Sequence, residues 1–522
     1  MAKSDLRIDI LGTTINISAD EDPAYLNKLL EKYRRTIDNV QRLTGIKDPL
    51  KTAVLTGFLL SDELEKAGQG LTQNSSGSND ESAEAEKLAM GIISRLDEMV
   101  SETETIYETQ IPASVFKLKN TVKHYEWGSP EWIPALLGQD NISRIPWAEL
   151  WMGVNAAGPS RAAAALSAGI KKEDSPPLLS ELIARDSEAM IGKTCAEKYG
   201  SLPYLFKIIA VAKPLSIQAH PSSDKAKEGF DRENAEGLPM DAPNRNYRDG
   251  RHKPELICAL KPFAALCGFR EKEEILSLLG IICQISGEAL KTDLEKLMAA
   301  LEQETENPYK AFLSEFFSIK SRELGSFMIK KQPLLERDFP EYRGEWKLCS
   351  YLASIHPADN AAIAPIFLNT LELKPGEAMY IPPGVMHAYL YGLGIELMAD
   401  TDNVLRGGLT AKHVDREELL RILDFSGHKP EILQASGLSR FSYPARYEEF
   451  TLTVLKGRGD SVTYSETGPS IVFITEGSAN VAVCGEKTLE IKTGESAFIP
   501  AGKETVFSGN YSAYIAVTGI TA

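Results

Sequence analysis

The residues best suited to chemistry fall in three short stretches. In Ser216-Ile-Gln-Ala-His220-Pro, Gln218 and His220 stand two apart within a strand-like run, so both side chains project from one face and set an amide oxygen beside an imidazole. His252-Lys253-Pro254-Glu255 offers a carboxylate, and Pro383-Gly-Val-Met-His387-Ala-Tyr389 offers a second imidazole. Two histidines, a glutamate and a glutamine oxygen form a borderline nitrogen and oxygen set that suits zinc, with manganese or cobalt as substitutes. The chain holds only seven histidines in 522 residues, so each one inside such a stretch carries weight. Each stretch also has a plainer reading. A lone strand histidine is often a hydrogen-bonded structural residue, Glu255 could pair with Lys253 at a surface, and Pro-Gly before His387 could be a turn.

Fixed positive charge comes from Arg406 and Lys412, in Asp402-Asn-Val-Leu-Arg-Gly-Gly-Leu-Thr-Ala-Lys412. A guanidinium suits either a phosphate or an enediolate. The formal net charge is -16, which argues against nucleic acid as a partner because no broad basic surface is available. A small basic pocket for a phosphorylated sugar fits inside that balance.

These residues need elements to position them. From Ile111 onward the chain reads as short strands broken by Gly and Pro, including 205–211, 214–219, 254–259 and 378–381. Between about 271 and 341, Ile275, Leu276 and Leu279, then Leu290, Leu294, Leu297 and Leu301, then Phe312, Phe316 and Phe317 recur at helical spacing. That predicts a helical insert between strands. From about Tyr443 short alternating strands return, at 471–474, 479–483 and 496–499, which suits a second jelly-roll-like unit.

The stretches resemble type I phosphomannose isomerases, in order from about Phe116 to Lys412. The matching segments are Tyr125-Glu-Trp-Gly128, Ala148-Glu-Leu-Trp-Met-Gly153, Leu202-Pro-Tyr-Leu-Phe-Lys207, SIQAHP, HKPE, Leu373-Lys-Pro-Gly-Glu377, PPGVMHAYLYG and Asp402 to Thr410. The resemblance implies a cupin fold, one zinc ion per chain held by Gln218, His220, Glu255 and His387, and a terminal cupin without ligands. It implies an exchange of mannose 6-phosphate and fructose 6-phosphate through an enediol. It also places Arg406, Asp402, Glu396, Lys253 and His252 along the pocket, with Tyr389, Ser216, Trp127, Glu149 and Lys412 around them. Arg406 is expected to stabilise charge, Lys253, His252 and Asp402 to share acid and base work, and Ser216 and Lys412 to contact phosphate. The family usually reads RxGLTPK where this chain has RGGLTAK, so Ala411 replaces a proline without removing a charge. An iron cupin dioxygenase, or a division-associated scaffold sensing sugar phosphates, is an alternative use of the same body.

The first part of the chain has a different texture. Leu6, Ile8, Ile10, Ile15 and Ile17 alternate around Gly12 as a hairpin, and Pro23 opens a helix with Leu26, Leu29, Leu30, Tyr33, Ile37 and Val40 on one face. Asp48-Pro49 starts another helix, and Gly68 to Asp80 is a polar linker. Ala85, Ala89, Ile92, Leu96, Met99, Thr103 and Ile106 then form a heptad seam suited to a short coiled coil. Residues 1 to about 66 resemble ZapA, a bacterial protein associated with the FtsZ division ring, on Ile8-Asp-Ile-Leu-Gly12, Arg42-Leu-Thr-Gly45, Asp48 to Leu55 and Ser61 to Leu64. That implies a homodimer or homotetramer, with FtsZ as a further partner.

The expected organisation is mainly β. It comprises a ZapA-like hairpin and helices over 1–67, linker and coiled-coil helix over 68–110, and a catalytic cupin over 111–270 and 343–440. A helical insert over 271–342 interrupts that cupin, and a second cupin covers 441–522. Hydrophobic residues make up 43% and charged residues 25%, ordinary for a globular protein. No opening stretch resembles a signal peptide, no run suits a membrane span, and the six scattered cysteines read as reduced, so a cytoplasmic location is expected.

Overall fold

The computed structural model describes residues 4–10, 13–19, 28, 30–37, 40, 56, 114–163, 176–304, 306–427, 429–435, 437–484 and 488–519. The chain divides into two compact units, Met1–Gln110 and Ile111–Ala522. In the first, Ser4–Ile10 pairs antiparallel with Thr13–Ala19, Ile8 opposite Ile15, as the alternation around Gly12 predicts. Residues 30–37 are helical, and Ile37 and Val40 of the expected apolar face are buried. The expected linker and heptad seam over 68–110 lie outside the described residues.

The second unit is built mainly from two antiparallel sheets with helices packed on them. The strand Tyr204–Val211 shows why a sheet forms: all eight residues are buried, and seven are apolar with Lys207 the exception. It lies beside His387–Ala399, which pairs on its other edge with Glu255–Ala259. The long strand His387–Ala399 serves two neighbourhoods. Its second half pairs with Tyr204–Val211, and its first half meets Phe263–Phe269 and Ile217–Ala219. Gly392 permits this change, since its φ is +136° and a Cβ there would lie 2.7 Å from Pro262 O.

Helices Lys272–Gln284, Glu288–Gln303, Pro308–Ser318, Glu323–Asp338 and Arg343–Ile355 bury Leu279, Leu294, Phe312, Met328 and Trp346 in one apolar cluster, which continues under the sheet through Ile217 and Leu405. Helical structure therefore runs past the expected limit at 342, through Ala364–Phe367. Pro340 marks only a short 3-10 turn, Pro340–Tyr342, before Arg343–Ile355 resumes the apolar stripe.

The other sheet carries Thr451–Arg458, Thr505–Val517, Ser470–Val483 and Ser496–Ile499, and it recruits Phe116–Lys119 and Arg161–Ala162. Phe116–Lys119, expected within the first part of the catalytic region, thus pairs with the terminal strands. Phe116 packs against Phe498 with the rings tilted by 32°, and Lys117 pairs with Glu495 at 2.6 Å. A single apolar cluster containing Phe206, Leu256 and Tyr380 from one sheet and Phe450, Phe473 and Phe498 from the other joins the two. Among the described residues, no helix is long and apolar enough to cross a membrane.

Candidate metal centre and surrounding pocket

Strand register gathers the predicted metal residues. Gln218 lies opposite His387 across one ladder and opposite Arg406 across the next, so the three side chains share a face. His220 follows the strand Ile217–Ala219, and Glu255 opens Glu255–Ala259, opposite Ile381 and Met398. Ligand atoms of His220, Glu255 and His387 all lie within 4.8 Å of one another, and all three residues are buried.

The hydrogen bonds fix what these groups present. His220 Nδ1 donates to Asn403 O at 2.9 Å, and His387 Nδ1 donates to Val385 O at 3.0 Å. Both Nε2 lone pairs therefore point into the group, the tautomer that metal-bound histidines adopt. His220 Nε2 lies 3.1 Å from Glu255 Oε1 and His387 Nε2 lies 3.4 Å from Glu255 Oε2, so two lone pairs face a carboxylate. Neither His220 Nε2 nor Glu255 Oε1 has a well-directed hydrogen-bond partner, although both are fully buried. Such a meeting of donors is repulsive unless a cation sits among them, so the residues fit a divalent metal. The Gln218 amide nitrogen lies 3.3 Å from His387 Nε2, and a half-turn of that amide would bring its oxygen to the same place.

Charges around the group agree. Burial, then the Lys253 ammonium, pushes the His220 imidazole down to about 4, which keeps it neutral and free to ligate. Burial opposes ionisation of Glu255, but the Lys253 ammonium, with Nζ 2.9 Å from Oε1, outweighs it and holds the carboxyl well below its usual range.

Other predicted residues fall into distinct places. Glu396 and Glu149 are buried around Lys207, whose Nζ lies 2.8 Å from Glu396 Oε2 and 3.7 Å from Glu149 Oε1. Burial disfavours the Lys207 ammonium, but the two carboxylates more than restore it. Tyr389 donates to Glu255 Oε2 at 3.4 Å and links this cluster to the metal group. Trp127 is half-buried, stacked on Tyr125 and packed beside the cluster that holds Tyr389. Ser216 is half-buried, just before the strand that carries Gln218, and Asp402 is exposed. His252 turns elsewhere: its Nε2 lies 2.9 Å from Glu449 Oε1 in the terminal part of the unit.

Arg406 and Lys412 lack side-chain hydrogen-bond or ion-pair partners among the described residues. Burial, then Arg248, lowers the Arg406 guanidinium, and burial, then Arg406, lowers the Lys412 ammonium. Arg406, opposite Gln218, thus has two further cations near it, Arg248 and Lys412, an arrangement suited to an anion.

Lys207, Arg248, Asn403 and Glu449 escaped sequence reasoning. A lysine inside the apolar run Tyr-Leu-Phe-Lys-Ile-Ile-Ala-Val was the one visible signal. Asn403 stands in the quoted segment Asp402 to Thr410 without an assigned role, yet its side chain accepts from Arg248 N at 2.6 Å and donates to Arg251 O at 2.8 Å while its carbonyl holds His220.

Comparison with known proteins decides the family. The family model for the phosphomannose isomerase type I catalytic domain matches residues 115–272. Mannose-6-phosphate isomerase of Escherichia coli (strain K12) is 35% identical over 394 residues, 75% of this chain and 96% of that protein. The chain belongs to the mannose-6-phosphate isomerase family. The human member is 33% identical over 64% of this chain and 77% of its own length. A crystal structure of mannose 6-phosphate isomerase from Salmonella typhimurium, bound to fructose 6-phosphate as substrate and to zinc, has a TM-score of 0.68 and 31% identity, covering 78% of this chain and all of that one. Residues 6–105 match the family model of the cell division protein ZapA.

Proposed function

We propose that the chain is a zinc-dependent aldose–ketose isomerase interconverting mannose 6-phosphate and fructose 6-phosphate. This reading rests on the buried His220, Glu255 and His387 group standing beside Arg406, with Arg248 and Lys412 as neighbouring cations. Family membership favours isomerisation over iron-dependent oxygen chemistry.

Zinc would be held by His220, Glu255, His387 and the Gln218 oxygen, and when bound it supplies a Lewis acid for the sugar oxygens. The remaining work falls to the chain. Lys412 and Ser216 hold the phosphate, fixing which end of the open-chain sugar reaches the metal group. One proton leaves C2 of the aldose and returns at C1, while the hydroxyl and carbonyl oxygens exchange roles through an enediol. Arg406 balances the negative charge that develops as C2 loses its proton. Lys253, whose Nζ lies beside Glu255, and Asp402 supply the acid and base groups, with the buried Lys207–Glu396 pair next to them through Tyr389. Trp127, Tyr389 and Glu149 line the walls and keep that cluster dry.

Running the reaction in deuterium oxide tests the chemistry. Deuterium at C2 of recovered mannose 6-phosphate supports the enediol route, and conversion with no solvent deuterium in either sugar at any stage argues for hydride transfer instead.

The first unit adds self-association. We assign residues 1–67 and the heptad seam within 68–110 to a homodimer or homotetramer, with FtsZ as the partner that the ZapA match suggests, in the cytoplasm. We assign the catalytic cupin to 111–270 and, after the helices that run through Phe367, to 368–440, with a ligand-free cupin over 441–522 whose sheet takes in Phe116–Lys119.

A further inference from the structure

The backbone immediately after Arg406 is held in an unusual shape by a residue far away in sequence. Arg406 lies opposite Gln218, but the next paired residue is Gly408, opposite Ile217, so Gly407 forms a bulge. Gly408 then has φ +146° and Leu409 has φ +55°, one of two non-glycine residues with positive φ among those described. A branched, buried leucine in the left-handed region carries strain of about 1–3 kcal/mol, and persists only where its surroundings force it. What faces it is Asp359. The Leu409 N–H donates to Asp359 Oδ2 at 2.6 Å, while Oδ1 accepts from Ala361 N at 2.9 Å and caps the turn Asn360–Ile363. The fit is close on the other side too: a Cβ on Gly408 would lie 2.3 Å from Ala361 Cβ.

We infer that Asp359 is a positioning residue for Arg406. Its carboxylate pins the Leu409 N–H, keeps the bulge at Gly407, and so sets the direction in which the guanidinium leaves the strand opposite Gln218. This rests on the charge-stabilising role proposed for Arg406. Asp359 itself belongs to the turn after the helix Arg343–Ile355 and binds nothing at the metal group in this arrangement. Losing its carboxylate would leave the buried Leu409 N–H without an acceptor and let the strained residue relax, three residues from the guanidinium. A shift of about 1 Å at a catalytic group is enough to cost on the order of 100-fold in rate.

The test is a double-mutant cycle on the full-length, zinc-loaded protein with mannose 6-phosphate, using Asp359→Ala, Arg406→Ala and both together. The expected result is a kcat loss of roughly 10- to 100-fold for Asp359→Ala, with zinc content kept, and no further loss when it is added to Arg406→Ala. Asp359→Asn keeps one acceptor oxygen and should recover most of the rate. If Asp359→Ala does not fold, the Asn variant carries the cycle, and its smaller loss should likewise vanish in the Arg406→Ala background. A wild-type kcat in Asp359→Ala while Arg406→Ala is impaired would overturn this inference alone. So would a loss that adds in full to that of Arg406→Ala. An unimpaired Arg406→Ala would instead overturn the role of Arg406 on which the inference rests.

Discussion

His387 and Arg406 stand two strands apart on the same face, with Gln218 directly between them. Because side chains alternate along a strand, that register puts the metal group and the cation within reach of one small substrate. A one-residue slip of the short strand Ile217–Ala219 would turn Gln218 away from both.

Removing a metal residue should abolish binding and turnover together. His220→Ala, Glu255→Ala and His387→Ala are each expected to lose bound zinc, and to lower kcat/KM by more than the roughly 10- to 100-fold typical of residues that only support a ligand. Gln218→Ala should lose less, because an amide oxygen is the weakest donor of the four. Elemental analysis alongside kinetics checks this, and a fully active, zinc-replete Glu255→Ala would contradict the assignment.

The cation cluster makes a separable prediction. Lys412→Ala should raise KM for mannose 6-phosphate by about 10-fold or more, with a smaller effect on kcat, since a charged hydrogen bond to phosphate acts in both ground and transition states. Inorganic phosphate should inhibit competitively, and less so in the variant.

Lys207 should matter for stability as well as for the site. Lys207→Met leaves Glu149 and Glu396 buried without their cation, which costs about 3–5 kcal/mol. Denaturant unfolding measures it. Replacing all three residues by apolar ones of similar volume should restore much of the stability and none of the activity.

Acid sensitivity should depend in part on Glu449. Burial raises its carboxyl, but the His252 hydrogen bond and charge outweigh that and hold it below its ordinary 4.5. A carboxyl depressed in the folded state contributes stability above the unfolded value, and that contribution is lost as pH falls through the folded value. Glu449→Gln should therefore melt with a shallower pH dependence below about pH 5 than the parent chain.

Much of this was legible in the chain. Tyr204–Val211 is an apolar run broken only by Lys207, and SIQAHP, HKPE and PPGVMHAYLYG carry the metal residues. What stayed hidden is non-local. Phe116–Lys119 pairs with Ser496–Ile499, some 380 residues later, and no local pattern says which sheet a four-residue strand will join. The helical insert was expected to end at about 342, yet Arg343–Ile355 and Ala364–Phe367 continue it, because the run between the quoted apolar repeats and the next strand has no local mark of its class. His252, which the family resemblance placed along the pocket, has its Nε2 2.9 Å from Glu449 Oε1, a partner far along the chain that no local pattern announces.

The first unit predicts assembly. Full-length protein should run as a dimer or tetramer in light scattering, whereas a chain starting at Ile111 should be smaller in assembly state and keep its isomerase activity, because relatives match the chain over about three quarters of its length.

The central claim is that zinc held by the buried histidine and glutamate group is needed for isomerisation. The most direct measurement is a coupled assay of mannose 6-phosphate conversion before chelation, after chelation, and after zinc is returned. Turnover should disappear with the chelator and return with stoichiometric zinc. Turnover unchanged in protein shown to be metal-free, or absent from folded protein carrying one zinc per chain, would contradict it.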